Sequence, residues 1–402
     1  MFKNKYFISF WGESIMEINN LKEKFTEIYG VENEFNFLSP GRINLIGEHI
    51  DYNGGLVFPC ALDFGTYALV KIRDDNKLNF ASTNFDLKVS CDLNNLVYKE
   101  EDDWANYPKG VIKIMLNKGC KVKGMDILIS GNIPNGAGLS SSASLEVLLG
   151  VIVNNLFNEG KIDRVELVKI AQQAENEFVG VNCGVMDQFA VGMGKKDKAI
   201  LLDCNSLSYK YADVKLLDYA IVIMNTNKRR ALNESKYNER RSECEEALKI
   251  IQKEKKVENL CKITPSEFNK LEYLFDNEKV KNRAKHVVYE NDRVISAFDC
   301  LNKGELEEFG RLLIESHDSL KNLYEVTGKE LDSLVEEALK ADGCIGARMT
   351  GAGFGGCAIA LVQKDKIDTF TEQVKKTYTE RIGYEPSFYS SGIGEGTHQI
   401  FE

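Results

Sequence analysis

Apolar residues recur along this chain with two different periods, and their order predicts both helices and strands. Helical spacing of apolar residues from Ile18 to Ile28, which stops before Gly30, predicts an amphipathic helix. Short apolar runs separated by turn residues then predict strands. These runs cover residues 35–38, 43–46, 67–72, 78–81 and 87–91.

The pattern changes to longer helical stretches further along the chain. Helices are predicted at 104–116, 141–157, 165–178, 185–191, 234–254, 280–301, 306–320, 329–340 and 367–379. Strands are predicted at 124–130, 199–202, 219–224, 347–349 and 357–362, and near Phe388. Hairpins mixed with helices in this way indicate an α+β fold rather than a doubly wound parallel sheet.

The length of 402 residues favours two domains. No Pro- or Ser-rich linker marks a boundary, so we place it near residues 205–215, where strand-rich sequence gives way to long helices. We therefore predict an N-terminal extension of unknown role at 1–15, a first domain at 16–210 and a second α+β domain at 211–402.

Composition narrows the classes of function. The net charge of −10 argues against a general nucleic-acid binder or a protein that binds acidic membranes, but it does not exclude a local nucleotide site. No apolar run is long enough to span a bilayer. The ten cysteines form no CxxC pair, so we predict reduced, mostly buried thiols in a cytoplasmic protein.

A glycine–serine loop, residues 134–144 (PNGAGLSSSAS), lies between a predicted strand and a predicted helix. Gly136 and Gly138 permit a tight turn and a close approach of a ligand to the backbone. The helix that follows directs free N–H groups and the positive end of its dipole at that ligand, which suits a phosphate. The Lys of a Walker A loop is missing. A serine N-cap without any ligand is the alternative interpretation.

A second segment, residues 40–55 (PGRINLIGEHIDYNGG), is dense in polar groups although it begins as a strand. From a loop bounded by glycines, Glu48, His49 and Asp51 can together exchange hydrogen bonds with several hydroxyls of a sugar. The alternative is a charged surface turn in which Arg42 pairs with a neighbouring acid.

Two carboxylates and a third segment complete the candidate chemistry. Glu175 ends one predicted helix, and Asp187 lies in the first turn of another. Asp187 either satisfies the dipole of its helix or is a general base that accepts a hydroxyl proton during phosphoryl transfer. Residues 346–357 (GARMTGAGFGGC) crowd glycines between two strands. That crowding indicates close backbone approach to a ligand or a domain partner, against the alternative of a flexible turn.

The three segments occur in this order in the family of galactose, homoserine, mevalonate and phosphomevalonate kinases, which the chain resembles. The segment at 40–55 looks specifically like the galactokinase signature, and residues 104–107 and 183–189 also resemble galactokinase segments. The matches run from about Phe37 to Cys357. The resemblance implies two α+β domains with the active site in the cleft between them.

The resemblance also implies transfer of the γ-phosphoryl group of ATP to the C1 hydroxyl of galactose, with Mg²⁺ as cofactor. It makes Asp187 the catalytic base, and Arg42 the group that stabilises this base and the transferring phosphoryl. The implied sugar contacts are Glu48, His49, Asp51, Gly184, Asp187 and Tyr237. The implied ATP contacts are Ser82, Trp104, Gly136, Ala137, Gly138, Leu139, Ser140, Ser141 and Ser142. The implied Mg²⁺ ligands are Ser142 and Glu175.

Two alternatives to galactose phosphorylation stay open at this point. Ile50 stands where many bacterial galactokinases have Thr, so a related sugar such as N-acetylgalactosamine or arabinose is one alternative substrate. A non-catalytic sensor of galactose and ATP is the other, although such sensors are altered in the phosphate loop and Ser142 and Ala143 are intact here. We expect a cytoplasmic monomer whose partners are galactose and ATP, with no nucleic-acid or membrane partner.

Overall fold

A computed structural model describes residues 14–134, 137–228 and 233–401 of the chain. Its helices are α1 (Ser14–Tyr29), α2 (Asn106–Asn117), α3 (Ser141–Phe157), α4 (Arg164–Gln173), α5 (Met186–Met193), α6 (Asn233–Ile251), α7 (Pro265–Leu271), α8 (Glu278–Lys303), α9 (Leu306–Ser319), α10 (Gly328–Lys340) and α11 (Ile367–Ile382). Single π-helical turns extend α4 over Ala174–Val179 and α9 over Leu320–Tyr324.

The strands alternate with these helices along the chain. They are β1 (Phe35–Asn44), β2 (Leu56–Val57), β3 (Pro59–Ile72), β4 (Lys77–Ser82), β5 (Val89–Asp92), β6 (Met125–Gly131), β7 (Lys198–Asp203), β8 (Tyr209–Asp213), β9 (Tyr219–Asn225), β10 (Cys344–Met349), β11 (Cys357–Gln363), β12 (Ser387–Ser390) and β13 (His398–Ile400).

The largest sheet has six strands in the order β13-β1-β3-β6-β4-β5. Its pairs are antiparallel except for β4 with β6, which run parallel. β1 and β3 pair from Phe35 opposite Val70 to Asn44 opposite Pro59, with a register shift between Pro40 and Arg42. A buried core joins one face of this sheet to α2, α3 and α4. α3 is apolar on nearly all sides and fills the middle of that core.

A four-stranded antiparallel sheet, β10-β11-β9-β12, and a three-stranded sheet, β2-β7-β8, share the other main core. Helices α8 to α11 pack around this core because their apolar residues recur at helical spacing. The last strand, β13, returns to the first sheet, where Ile400 pairs with Asn36. The first and the last strand of the described chain therefore pair in one sheet.

The α+β prediction is confirmed, and most predicted elements are present. α3 has the predicted bounds of 141–157. The runs predicted separately at 35–38 and 43–46 form the single strand β1, because the chain passes Pro40 and Gly41 by a register shift rather than a turn. Four elements were not predicted: β2, β8, α7 and β13. The predicted extension at 1–15 falls mostly outside the described residues.

The structure also tests two predictions that were made from composition. No helix in the described ranges combines the length and the apolar character needed to cross a membrane. All ten cysteines are free thiols, as predicted, but only four of them are buried and six are intermediate, so the prediction that most are buried is wrong.

Candidate active site

Arg42, at the end of β1, is the centre of the candidate site. Its side chain is only 4% exposed, although it carries a charge. The guanidinium donates two hydrogen bonds to Asp187, from Nε to Oδ1 and from Nη2 to Oδ2, each 2.9 Å long. Nη1 donates to the carbonyl of Gly138 at 2.6 Å. This two-pronged geometry fixes the carboxylate plane, so Arg42 is not part of a charged surface turn.

Asp187 lies in the first turn of α5, where two other elements reach its carboxylate. Besides Arg42, the hydroxyl of Ser140 donates to Oδ2. Ser140 directly precedes α3 in a left-handed conformation with φ of +65° and makes no side-chain cap to that helix. The alternative of a serine N-cap is therefore wrong for Ser140, whose hydroxyl turns toward Asp187 instead. Asp187 is thus joined to the glycine–serine loop directly through Ser140 and indirectly through Arg42, which bonds to Gly138.

The polar loop, residues 45–55, leaves β1 and passes in front of Asp187. A polar cavity of about 80 Å³ lies between them. Every residue predicted for catalysis or for sugar contact lines this one cavity: Arg42, Glu48, His49, Asp51, Gly184, Asp187 and Tyr237. Ile50, the departure from the bacterial pattern, is fully buried in the core and is not among the lining residues. Its difference from Thr therefore leaves the cavity wall unchanged.

Asp51 and Gly184 fit against each other on the wall of the polar cavity. A Cβ on residue 184 would lie 1.8 Å from Oδ2 of Asp51, so only glycine leaves room for this carboxylate. Burial, and secondly the charge of Asp187, raise the pKa of Asp51 to about 6. The carboxylate is ionised at neutral pH and becomes protonated in mildly acidic solution.

Glu48 is 1% exposed and ties the polar loop to the C-terminal glycine loop, residues 350–356. Its Oε1 accepts from the hydroxyl of Thr350 at 3.2 Å and from the N–H of Gly351 at 2.9 Å. Its Oε2 accepts from Asn44 at 2.9 Å and forms an ion pair with Arg348 at 2.5 Å. The C-terminal glycine loop is therefore a shaped, bonded loop, and its glycines at 351, 353, 355 and 356 all have positive φ.

His49 is held by bonds on both ring nitrogens. Nε2 lies 3.1 Å from the carbonyl of Ala352, which can only accept, so Nε2 carries the proton. Nδ1 then accepts from Tyr52 at 2.8 Å, and Tyr52 accepts in turn from Tyr324 at 2.8 Å. Burial lowers the pKa of His49 to about 3, so the ring is neutral and fixed in one tautomer. Its face packs on Tyr237, with ring centroids 5.7 Å apart.

A second cavity, the aromatic cavity of about 190 Å³, lies at the start of α3. Four of the predicted ATP contacts line it: Ser82, Trp104, Ser141 and Ser142. Ala137, Gly138, Leu139 and Ser140 lie in the adjoining loop, and Gly136 lies outside the described residues. Sequence reasoning missed Phe85, whose half-exposed ring stacks near Trp104 at 6.4 Å and 22°. An aromatic residue just after a strand end was the signal available.

Ser142 and Glu175, the predicted metal ligands, meet beside this cavity. The Ser142 hydroxyl lies within hydrogen-bonding reach of the Glu175 carboxylate, which is 6% exposed. Sequence reasoning missed a second carboxylate, Glu146, which is fully buried one helical turn after Ser142. Nε2 of Gln188 donates to both carboxylates, at 2.6 Å to Glu175 and 3.0 Å to Glu146. The four-residue spacing on α3 was the signal for Glu146.

Most residues of the site lie within three segments that match known family models, whereas Ser82, Trp104 and Tyr237 lie outside them. Residues 106–195 match the GHMP kinases N terminal domain, and residues 297–380 match the GHMP kinases C terminal model. Residues 23–72, which hold Arg42 and the polar loop, match the galactokinase galactose-binding signature.

The chain is also similar to curated galactokinases along almost all of its length. It is 64% identical to the galactokinase of Clostridium tetani over 385 residues, which cover 96% of this chain and 98% of that relative. It is 56% identical to the galactokinase of Ligilactobacillus salivarius, over 95% of this chain and 99% of the relative.

Solved structures agree with these relatives. A crystal structure of Lactococcus lactis galactokinase complexed with galactose is similar with a TM-score of 0.92 and 48% identity, and covers 96% of this chain and 100% of that one. A mevalonate kinase structure, at a TM-score of 0.63 and 20% identity, shares the fold over 92% of this chain and all of its own. Because its identity to curated galactokinases exceeds one half over nearly the whole length, the chain belongs to the galactokinase family of ATP-dependent sugar kinases.

Proposed function

We propose that this chain transfers the γ-phosphoryl group of ATP to the C1 hydroxyl of α-D-galactose, with Asp187 as the general base. One observation carries the assignment of the base: Asp187 lines the polar cavity, and Arg42 and Ser140 tie its carboxylate to the glycine–serine loop. In the reaction, sugar O1 bonds to the γ-phosphorus and the bond from that phosphorus to the β–γ bridging oxygen breaks. The O1 proton passes to Asp187.

Arg42 is proposed to act on both reactants at once. Its bidentate pair holds Asp187 with the carboxylate plane fixed, so little reorganisation is needed when the proton arrives. The same guanidinium lies against the glycine–serine loop, where the phosphates are expected, and its charge opposes the negative charge of the transferring group. The overall charge of −10 does not prevent this, because the positive potential is local.

The sugar is proposed to bind in the polar cavity, with Glu48, His49, Asp51, Gly184 and Tyr237 as its contacts. The carboxylate of Asp51 supplies hydrogen-bond acceptors for sugar hydroxyls, and the rings of the neutral His49 and Tyr237, tilted by 44° to each other, form part of the wall. Galactose is the sugar in the similar Lactococcus lactis complex, which supports it over N-acetylgalactosamine and arabinose. The intact Asp187 and Arg42 disfavour the alternative of a non-catalytic sensor.

ATP is proposed to bind with its base in the aromatic cavity, between Ser82 and Trp104, and with its phosphates along residues 136–142. Ser142 and Glu175 would hold Mg²⁺ there, because their hydroxyl and carboxylate oxygens lie together and suit a small hard cation that keeps several waters. When bound, Mg²⁺ neutralises phosphate charge. The chain's own part is to place these oxygens at the start of α3, whose N–H groups face the same region.

The domain boundary, the cellular compartment and the oligomeric state are proposals as well. The polar cavity is lined both by Arg42 and Asp187 and by Tyr237 and Ala352, which supports a site between domains at 16–210 and 211–402. We place the enzyme in the cytoplasm as a monomer, without a nucleic-acid or membrane partner. The free thiols of all ten cysteines support a reducing compartment.

A substrate panel tests the proposal. ADP release with ATP–Mg²⁺ is measured for galactose, N-acetylgalactosamine, arabinose, mevalonate and homoserine. We expect galactose to be turned over with a kcat/KM at least tenfold above that of any other substrate. Absence of turnover at millimolar galactose and ATP contradicts the proposal, and faster turnover of another sugar reassigns the substrate.

Replacing Asp51 by Asn is expected to weaken galactose binding and to stabilise the fold. The folded-state pKa of about 6 lies above the ordinary value, so the contribution of Asp51 to stability is greatest below about pH 4 and is lost as the pH rises through 6. At pH 7.5 the amide removes this cost, a gain of about 1–2 kcal/mol after allowing for partial exposure. We expect galactose KM to rise at least tenfold.

Urea unfolding and galactose KM, each measured from pH 5 to pH 8, check this prediction. In the unmodified chain, KM should rise below pH 6 as Asp51 gains a proton, and Asp51→Asn should lose that rise. Asp213→Asn, at an exposed position in β8, is the matched control and should change neither quantity. A variant that is less stable at pH 7.5 contradicts the assigned cost.

A further inference from the structure

We propose that Lys109 is a positioning residue for the nucleotide base, which it serves by fixing the segment that carries Trp104. The inference rests on the proposed ATP site and adds to it a group that contacts no ligand. Lys109 lies on α2, and Trp104 lies in the 3₁₀ segment Glu100–Ala105 just before that helix. The structure ties the two together through a bracing loop, residues 97–103.

Lys109 is a charged residue that the fold has taken out of water. It is 1% exposed, and its ammonium donates to the carbonyl of Val97 at 2.9 Å and to the carboxylate of Asp102. Both partners lie in the bracing loop. A buried ammonium costs several kcal/mol of desolvation, which an apolar side chain on α2 would not incur. The hydrogen bonds of Lys109 therefore position this loop and do not add to the stability of the apolar core.

Asn106 makes a second set of bonds to the same loop. It is 2% exposed, accepts from the N–H of Lys99 at 3.2 Å and donates to the carbonyls of Lys99 and Asp103 at 2.7 and 3.2 Å. Asp103 has φ of +40° and ψ of −119°, a conformation unfavourable for a residue with a side chain. The strained residue directly precedes Trp104, so the bonds hold the backbone that aims the indole.

Burial alone does not hold the bracing loop. Val97 and Tyr98 are 46% and 50% exposed, and Tyr98 meets Phe178 edge-on at a centroid distance of 6.4 Å, so the apolar side chains of the loop contribute limited anchoring. Directly after it, Trp104 is 8% exposed and lines the aromatic cavity, which Ser142 at the start of α3 also lines. Removal of the ammonium should therefore free the indole while leaving the polar cavity and Asp187 in place.

Lys109→Met tests the inference, because Met keeps the length of the side chain and removes its charge. We expect ATP KM to rise about tenfold, with kcat and galactose KM changed by less than twofold. Lys113→Met, one turn further along α2, is the matched control and should leave all three within twofold. An equal loss in kcat and both KM values, or an unchanged ATP KM in a folded variant, overturns the inference.

A second readout needs no turnover. The chain has two tryptophans, Trp11 and Trp104, so Trp11→Phe leaves Trp104 as the single fluorophore. Without substrates, Lys109→Met in this background should shift Trp104 emission to longer wavelength, as the indole becomes more exposed. An unchanged spectrum contradicts the positioning role even if the unmodified chain has no kinase activity. Should Lys109→Met fail to fold, Asp102→Asn removes the charged partner alone and should shift emission and ATP KM in the same directions.

Discussion

Replacing Asp187 by Asn is expected to lower kcat for galactose phosphorylation by about 10²–10⁴-fold, the usual range for loss of a general base. Asn keeps the shape of the side chain and can still accept one hydrogen bond from Arg42, but it cannot take the proton from sugar O1. The fold should survive, because Asp187 is about one-third exposed and lies at the edge of a cavity rather than in a core. The main loss should therefore appear in kcat, with a smaller loss of stability because Arg42 stays buried without its counter-ion.

Three measurements separate this result from misfolding. Rapid-quench kinetics give the chemical step, calorimetry gives galactose and ATP affinity, and urea unfolding gives stability. We expect both affinities to change by less than fivefold and stability to fall by about 1–3 kcal/mol, since Asp187 is partly exposed but Arg42 is not. Asp213→Asn is again the control with the same chemical change. A variant that retains more than one-tenth of the kcat removes Asp187 from the role of base.

The catalytic part of the site was predictable because its residues lie in short, dense motifs. Two glycines and three serines before an apolar helix predict an anion site from local geometry alone, and α3 begins where that pattern places it. Local sequence could not decide between a helix-dipole role and a catalytic role for Asp187. Its actual partner, Arg42, is 145 residues away in sequence, and only the fold or a family resemblance brings the two together.

The groups that hold the site were harder to predict because their partners are distant and their own surroundings are ordinary. Glu146 stands in an apolar helix, where its four-residue spacing from Ser142 is a weak sequence signal for a buried carboxylate. β13 has only three residues, and its pairing partner lies at the other end of the chain. A strand this short gives no periodic signal, so its place is decided by the free edge of β1.

The hydrogen bonds of the polar loop also come from residues that are distant in sequence. His286 on α8 lies 3.1 Å from the carbonyl of Glu48, and Glu290 accepts from the N–H of Gly47 at 3.0 Å. Asn291 accepts from the N–H of Leu56 at 2.8 Å. The loop therefore takes its shape from a helix more than 230 residues further along the chain. Sequence motifs identified its polar side chains, but not the donors and acceptors that orient them.

Arg348→Met is expected to be the most destabilising single substitution in the site, with a loss of about 3–5 kcal/mol. Arg348 is fully buried, pairs with Glu48, and donates from Nη1 to the carbonyls of Asn44 and Leu45 at 3.2 and 3.0 Å. Met fills much of the same volume but leaves the Glu48 charge and two carbonyls without these donors. Galactose KM should also rise, because Glu48 and the start of the polar loop lose their brace.

A double-mutant cycle with Glu48→Gln distinguishes a charge effect from a packing effect. Glu48→Gln alone leaves Arg348 as the buried charge without its counter-ion and should cost several kcal/mol as well. In the double variant neither Glu48 nor Arg348 remains as an unpaired buried charge. Its loss of stability should therefore be smaller than the sum of the two single losses, by at least about 1 kcal/mol. Urea unfolding at pH 7.5 measures the stability of all four proteins.

Lys161→Met, at an exposed pair with Glu159, is the control. Its stability should stay within about 0.5 kcal/mol of the unmodified chain, since water already screens that pair. Strict additivity of Glu48→Gln and Arg348→Met would mean that packing, and not the buried ion pair, holds the two loops together.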